Sequence, residues 1–490
     1  MKKIKTDINY LIIMTRKTKL TLLLLLAATA TLRAQNNDSD FMKSFKAYRD
    51  SMFADYDRFR SNILSNYAAF LDSAWREYEA FSGVPMPKIP KPPVPQQAPP
   101  DYQPPQAPKP VVVATPDKPA PPEQPKAPEP VTPPTPQPNA VWIDFYGLRL
   151  PLPKLEMDIP QNISDAENMS AFWNGLQNSN IEAVAEAIYK TAQLYSFGDW
   201  EIYLLSKAYA QTVQGRNPDV SVCLQVALML IMDYDVTMAQ SDGHLLLLIP
   251  FEQKVYNRTY VVIGGERYYM FPEVSGGVSS PGMPEERGHK LDLVHTDGVR
   301  LPMDPKPFAF TYDGITLKGN VNRNIIRLMA DYPSVDVQSH AANVFDSQLR
   351  SDIYKQIRQQ VSLSDPLQTA NKMLHFSQLA FRYKTDDEQF GREKYFFFEE
   401  LLYYPFSDCE DRSVFFANLV RNILGYSVVL VQLPEHQATA VAFPFEPPKR
   451  NYIIKIENSK YYICDPTYMH ADVGMMHEDY FNAELEVQAW

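Results

Sequence analysis

A lone cysteine opens the stretch "SDCEDRSVFFANLVRNILGY", residues 407–426, and downstream His436 opens "HQATAVAF". A third polar group, Asp465, ends the strand-like "KYYICD". A thiol, an imidazole and a carboxylate in this order are the parts of a nucleophile, a base that takes its proton and a group that holds the base. The chemistry open to such a set is attack of sulfur on a carbonyl, giving a thioester.

Each part needs an element to hold it. Ser407 and Glu410 read as an S-x-x-E capping box, so the spacing predicts a helix that starts at Asp408 or Cys409, with Phe415, Leu419 and Ile423 on its buried face. Cys409 then sits in the first turn, where unpaired amides and the positive end of the dipole favour a thiolate. Asp408, Glu410 and Asp411 oppose that charge, so a positive group is needed, and an imidazolium at His436 supplies it. Strand alternation puts His436, Ala438, Ala440 and Ala442 on one face, leaving room beside the histidine, and puts Tyr461, Ile463 and Asp465 together on another strand.

The same series of elements occurs earlier in the chain. Residues 216–249 laid without a gap over 408–441 match at Asp219/Asp411, Ser221/Ser413, Val222/Val414, Ile231/Ile423, Tyr234/Tyr426, Val236/Val428, Gln240/Gln432 and His244/His436. One residue trimmed from a turn also lays "TYVVIGGERYYMFPE" over "NYIIKIENSKYYICDPT". We read two copies of one unit. The first has lost the chemistry: Asn217 stands opposite Cys409 and Pro272 opposite Asp465, and only His244 survives opposite His436. Its strand face, His244, Leu246, Leu248, is filled with leucine. Cys223 falls opposite Phe415 and reads as a small buried apolar residue.

The second copy, roughly residues 350–480, resembles the transglutaminase-like fold, a papain-related family of cysteine enzymes. The residues that carry the resemblance are "DCEDRSVFFANLVRNILGY", "EHQATAVAF" and "YYICDPTY". It implies Cys409 as nucleophile, His436 as general base and Asp465 as its orienter, with no cofactor and no metal. An aromatic residue expected after the histidine is replaced by Gln437 and Ala438, a departure that bears on substrate class. A residue completing the oxyanion hole is expected upstream, with Gln389 as the candidate.

The rest of the chain bounds what this unit can serve. At 490 residues with 45% apolar content, more than one core is expected. A net charge of −11 argues against nucleic-acid binding, which needs a basic surface. Residues 1–34 read as a signal peptide, with Arg16, Lys17 and Lys19 before "LTLLLLLAATATL" and cleavage after Ala34, which implies a periplasmic or extracellular protein. No later apolar run is long enough to span a membrane. Three cysteines, Cys223, Cys409 and Cys464, are too few and odd in number for a disulfide scaffold.

Residues 35–83 read as an amphipathic helical segment, with aromatics every three or four positions over 40–82, a candidate for self-association or for binding a partner. Residues 84–139 hold more than half of the 42 prolines and read as a disordered polyproline II spacer. The expected architecture is therefore α+β: a degenerate transglutaminase-like domain at 140–280, a small β connecting region at 281–345 and a catalytic transglutaminase-like domain at 346–490, each copy a helix followed by an antiparallel sheet. "MHADVGMMH" offers His470 and His477 as metal ligands, but no H-E-x-x-H or acidic cluster accompanies them and a solvated loop is the simpler reading.

The function expected is amide hydrolysis or transfer on a peptide or protein substrate. The rival is an exported scaffold in which the triad is a relic, and reactivity at Cys409 separates the two.

Overall fold

The computed structural model describes residues 63–490 apart from 65, 68–69, 72–74, 89–90, 93, 104–108, 115–138, 161–162, 164–165, 215–216, 275–276 and 283–286. The chain divides into two units, Met1–Ile63 and Leu64–Trp490, and all the elements named belong to the second. The signal peptide expected at 1–34 and most of the amphipathic segment 35–83 lie outside the described residues.

The proline-rich and aromatic segments depart most from expectation. Leu64, Asn66, Tyr67, Phe70 and Leu71 are helical, with Tyr67 buried and its hydroxyl bonded to Thr237 Oγ1 at 3.1 Å. Beyond them the expected helix gives way to strand β1 (Arg76–Tyr78), and the expected spacer contains strand β2 (Val111–Val113). Val111–Val113 is the one β-branched run in that stretch, which lets it join a sheet where its proline neighbours cannot. A hairpin follows, β3 (Ala140–Phe145) and β4 (Leu148–Pro153).

The two aligned stretches then fold alike. Helix Pro218–Ile231 leads to β5 (Thr237–Ser241), β6 (His244–Ile249), β7 (Tyr260–Ile263) and β8 (Glu266–Phe271), with β9 (Val278–Ser280) after them. Gly264 and Gly265, at φ +60° and +88°, make the β7–β8 turn, a conformation that disfavours any residue with a side chain. Between the halves lie the hairpin β10 (Pro305–Tyr312) and β11 (Ile315–Asn322) and two helices, Arg323–Ala330 and Val337–Ala342. The region expected to be a small β segment thus holds a β-hairpin and two short helices as well.

Short strands β12 (Arg382–Tyr383) and β13 (Phe406–Ser407) then pair in parallel, and helix Cys409–Leu419 follows. After it come β14 (Val428–Leu433), β15 (His436–Val441), β16 (Ile453–Ile456), β17 (Ser459–Cys464) and β18 (Glu486–Gln488). The sheet orders are β1-β9-β5-β6-β8-β7 and β18-β14-β15-β17-β16-β2. Four consecutive strands of each correspond, β5-β6-β8-β7 to β14-β15-β17-β16, and all pair antiparallel. The fold is mixed α+β.

The edges of the two sheets differ. In the first, β1 pairs with β9, and Phe81, a few residues on, exchanges both backbone bonds with Tyr260 of β7 at 2.8 and 3.0 Å. Residues 76–86 therefore run from one edge of the sheet to the other and close it. Gly83 makes the crossing fit: a Cβ there would lie 2.1 Å from the backbone nitrogen of Arg258. Leu246, Leu248, Val261, Tyr268 and Met270 fill the interior together with Tyr78 and Ala80.

In the second sheet the matching face carries Ala438 and Ala440, both fully buried, and is covered by Tyr480, Phe481, Leu485 and Val487. The room expected beside His436 is real, but the chain's own aromatic tail occupies it. Small residues on the strand admit large ones from the tail, whereas the first sheet carries the bulk on the strand itself.

Candidate functional site

Helix Cys409–Leu419 starts where the sequence predicts, with a different cap. Asp408 is the N-cap, and its N–H donates to Asp411 Oδ2 at 3.2 Å. Ser407, expected as the cap, accepts instead from Arg412 Nε at 3.1 Å. Arg412 also donates to Gln378 O (2.7 Å) and Phe381 O (3.0 Å), pinning the helix start to the end of helix Pro366–Leu379. All eleven residues of helix Cys409–Leu419 are buried, so it has no solvent face, unlike the one-sided helix expected.

His436 and Asp465 are brought together. His436 Nε2 lies 2.7 Å from Asp465 Oδ2, with both side chains buried. The second oxygen of Asp465 accepts from Thr467 N (2.9 Å), Thr467 Oγ1 (3.0 Å) and Tyr468 N (3.0 Å). The D-P-T turn thus aims the carboxylate. Burial opposes the charge on Asp465, but His436 and the Thr467 bonds outweigh it and hold its pKa below the ordinary range. An ionised carboxylate at Nε2 calls for the proton on that nitrogen, which leaves Nδ1 as the basic atom.

Cys409 stands at the first helical position, 1% exposed. Its thiol donates to Glu410 Oε2 at 3.0 Å, and among the described residues no hydrogen bond joins it to His436. Burial, then the neighbouring Glu410, push its pKa well above the usual thiol value, with Lys91 opposing. Desolvation and the acids at the first turn thus work against the thiolate expected from the helix dipole. Tyr480 lies against the histidine. Its ring stacks on His436 at 5.3 Å and 16°, and burial, then the charge of Asp465, push its pKa up.

The largest feature that sequence reasoning missed is Lys91. This residue of the supposed spacer has a side chain only 2% exposed, with Nζ 2.9 Å from Asp408 Oδ2, 2.8 Å from Glu393 Oε1 and 3.6 Å from Asp386 Oδ2, and hydrogen-bonded to Glu410 as well. Burial works against its charge, but Glu410 and Asp408 outweigh it and raise the pKa. One ammonium does not neutralise four buried carboxylates. Asp386 and Asp408 are accordingly pushed up, each by burial first and then by neighbouring acids. The signal for a buried cation was present in the surplus of acids over 386–411, with few lysines or arginines among them.

The other sequence candidates fall elsewhere. Gln389 donates to Phe406 O at 3.4 Å, so its amide is engaged by the backbone rather than by the thiol. His244 has an exposed side chain 3.7 Å from Asp219. Cys223 and Cys464 are buried and free, as is Cys409. Among the described residues the one cluster with metal-ligand spacing is Asp386, Asp408 and Glu410, where Lys91 sits, and it includes neither His470 nor His477. Among the described residues, no helix is long and apolar enough to cross a membrane. No protein-family model, curated protein or solved structure matches the chain.

Proposed function

We propose that the chain is an exported cysteine enzyme of transglutaminase-like type that cleaves or transfers an amide bond of a peptide or protein. The observation that carries this reading is the buried His436–Asp465 pair at 2.7 Å, aimed by the D-P-T turn, on a strand that Ser413 of the Cys409 helix ties down by donating to Gln437 O at 3.1 Å. In this reading the thiol turns from Glu410 toward the imidazole and gives its proton to Nδ1. Sulfur then attacks the carbonyl, and amides at the helix start receive the developing oxyanion. The leaving amine takes the proton back, and water or an amine resolves the thioester.

The test is iodoacetamide labelling of Cys409 across pH, located by peptide mass spectrometry, in Lys91→Gln and in Lys91→Gln/His436→Ala. A labelling pKa that rises by about one unit or more on losing His436 supports the reading. A pKa indifferent to His436 overturns it in favour of the second reading, an exported scaffold with a relic triad. What favours that second reading is the thiol's own state, buried and bonded to Glu410.

A further inference from the structure

The segment that contains Lys91 is more than a lysine inserted into acids. From Lys91 to Tyr102 it crosses the whole site. Pro92 O accepts from Tyr383 Oη at 3.0 Å, and Tyr383 pairs with Ser407, two residues before Cys409. Further along, Gln96 O accepts from Met469 N and Ala98 N donates to Met469 O, both at 2.8 Å, a short parallel bridge to the loop that follows Asp465. Ala98 and Tyr102 then pack on Tyr468, Ala471 and Met475. One end of the segment thus lies on the cysteine's helix start and the other on the loop that follows the aspartate.

Between these ends a cleft of about 460 Å³ remains, lined by Lys91, Pro92 and Gln96 on one side and by Glu435, Asp479 and Tyr480 on the other. Glu435 precedes His436, so the segment forms a wall of the cleft beside the histidine. The wall is held by side-chain charge at one end and by backbone pairing at the other. An extended chain whose prolines disfavour helix suits such a groove, because little conformational freedom is lost on seating it.

We propose that the path this segment follows, from the Asp408 and Glu410 carboxylates past Tyr383 to Met469, is a receptor for an extended, proline-rich peptide centred on a lysine, and that in this chain Lys91, Pro92 and residues 94–98 occupy it as a latch that keeps Cys409 closed. The proposal rests on Cys409 being the reactive group of the site. It adds that the protein is made latent, and that opening requires Lys91 to leave its carboxylates. The ammonium is held as a cation by several carboxylates, so it serves as an anchor and not as a reacting amine.

The experiment compares labelling of Cys409 at one fixed pH in the full-length chain and in Lys91→Gln, with circular dichroism to establish that both are folded. The latch predicts labelling faster by about tenfold or more in Lys91→Gln. It also predicts that the synthetic peptide MPKIPKPPVPQQA, residues 86–98, added in trans restores protection, and that the same peptide with glutamine for Lys91 does not. Should Lys91→Gln not fold, Tyr383→Phe, which removes only the bond to Pro92 O, decides with a smaller acceleration.

Unchanged labelling in a folded variant overturns the proposal, as does a trans peptide whose effect is indifferent to its lysine. The two readings fail separately. Faster labelling with a pKa indifferent to His436 leaves a latch over a thiol that is no enzyme nucleophile. Fast, His436-dependent labelling in the unaltered chain leaves an enzyme with no latch.

Discussion

At the residue scale, the aim of the imidazole is decided by Asp465 and by the turn that holds it. Asp465→Asn keeps the shape but offers an amide whose best bond to Nε2 favours the other tautomer. Under the proposed mechanism it slows formation of the acyl-enzyme by about a thousandfold or more, read in single-turnover kinetics. A second residue marks strain beside the site. The β14–β15 turn is Pro434–Glu435, and Glu435 takes φ +60°, a conformation suited to glycine or asparagine after a proline. Glu435→Gly is expected to stabilise the fold by about 1 kcal/mol in urea titration. Among single residues the sequence was legible where chemistry and chain order coincide, as with His436 and Asp465. It was illegible at Lys91, whose partners are more than 290 positions away and whose immediate neighbours are prolines.

At the element scale, legibility followed hydrophobic period and turn chemistry. The ungapped alignment of 216–249 with 408–441 anticipated the common run of helix and strands, and the glycine pair anticipated the β7–β8 turn. Periodicity could not foresee that helix Cys409–Leu419 would be enclosed on every side, nor that residues 76–78 and 111–113 would become edge strands. Pairing at an edge is decided by which sheet is left open, a property of the fold and not of the segment.

One contact between elements was equally hidden. Arg350, in helix Ser347–Gln360, meets Glu399, in helix Phe398–Leu401, through Nε–Oε1 at 2.7 Å and Nη2–Oε2 at 3.1 Å, with both side chains at 1% exposure or less. Glu399→Ala leaves a guanidinium buried without its acid. We expect a loss of about 3–5 kcal/mol, seen as a lower urea midpoint at unchanged slope.

At the scale of the whole molecule, stability depends on pH through groups the fold has buried against their ordinary ionisation. His340, stacked on Phe397 at 4.2 Å, has no hydrogen-bond partner on either ring nitrogen among the described residues. Burial, then Lys394, pull its pKa down to about 3 from 6.5. The unfolded chain takes up that proton first. The neutral ring's contribution is thus fully present above pH 6.5 and drains away as pH falls toward 3. The slope is about 1.4 kcal/mol per pH unit.

Asp386 works the other way. Its pKa is raised in the fold, so its protonated form adds stability at low pH that is lost as pH rises. His340→Phe isolates the first effect: the difference in unfolding free energy between variant and native protein should grow steadily from pH 7 to pH 4. A flat difference would show that the ring takes up its proton as readily in the folded chain as in the unfolded one.

The segment proposed as a latch is flanked by paired chain on both sides, residues 76–86 in the first sheet and Val111–Val113 on the edge of the second. A protease that cuts once, on either side of Lys91, leaves the lysine tied to a sheet and at high local concentration beside its carboxylates. Only cuts on both sides set it free to diffuse. Such a chain would behave as a coincidence detector, silent to one cleavage and responsive to two.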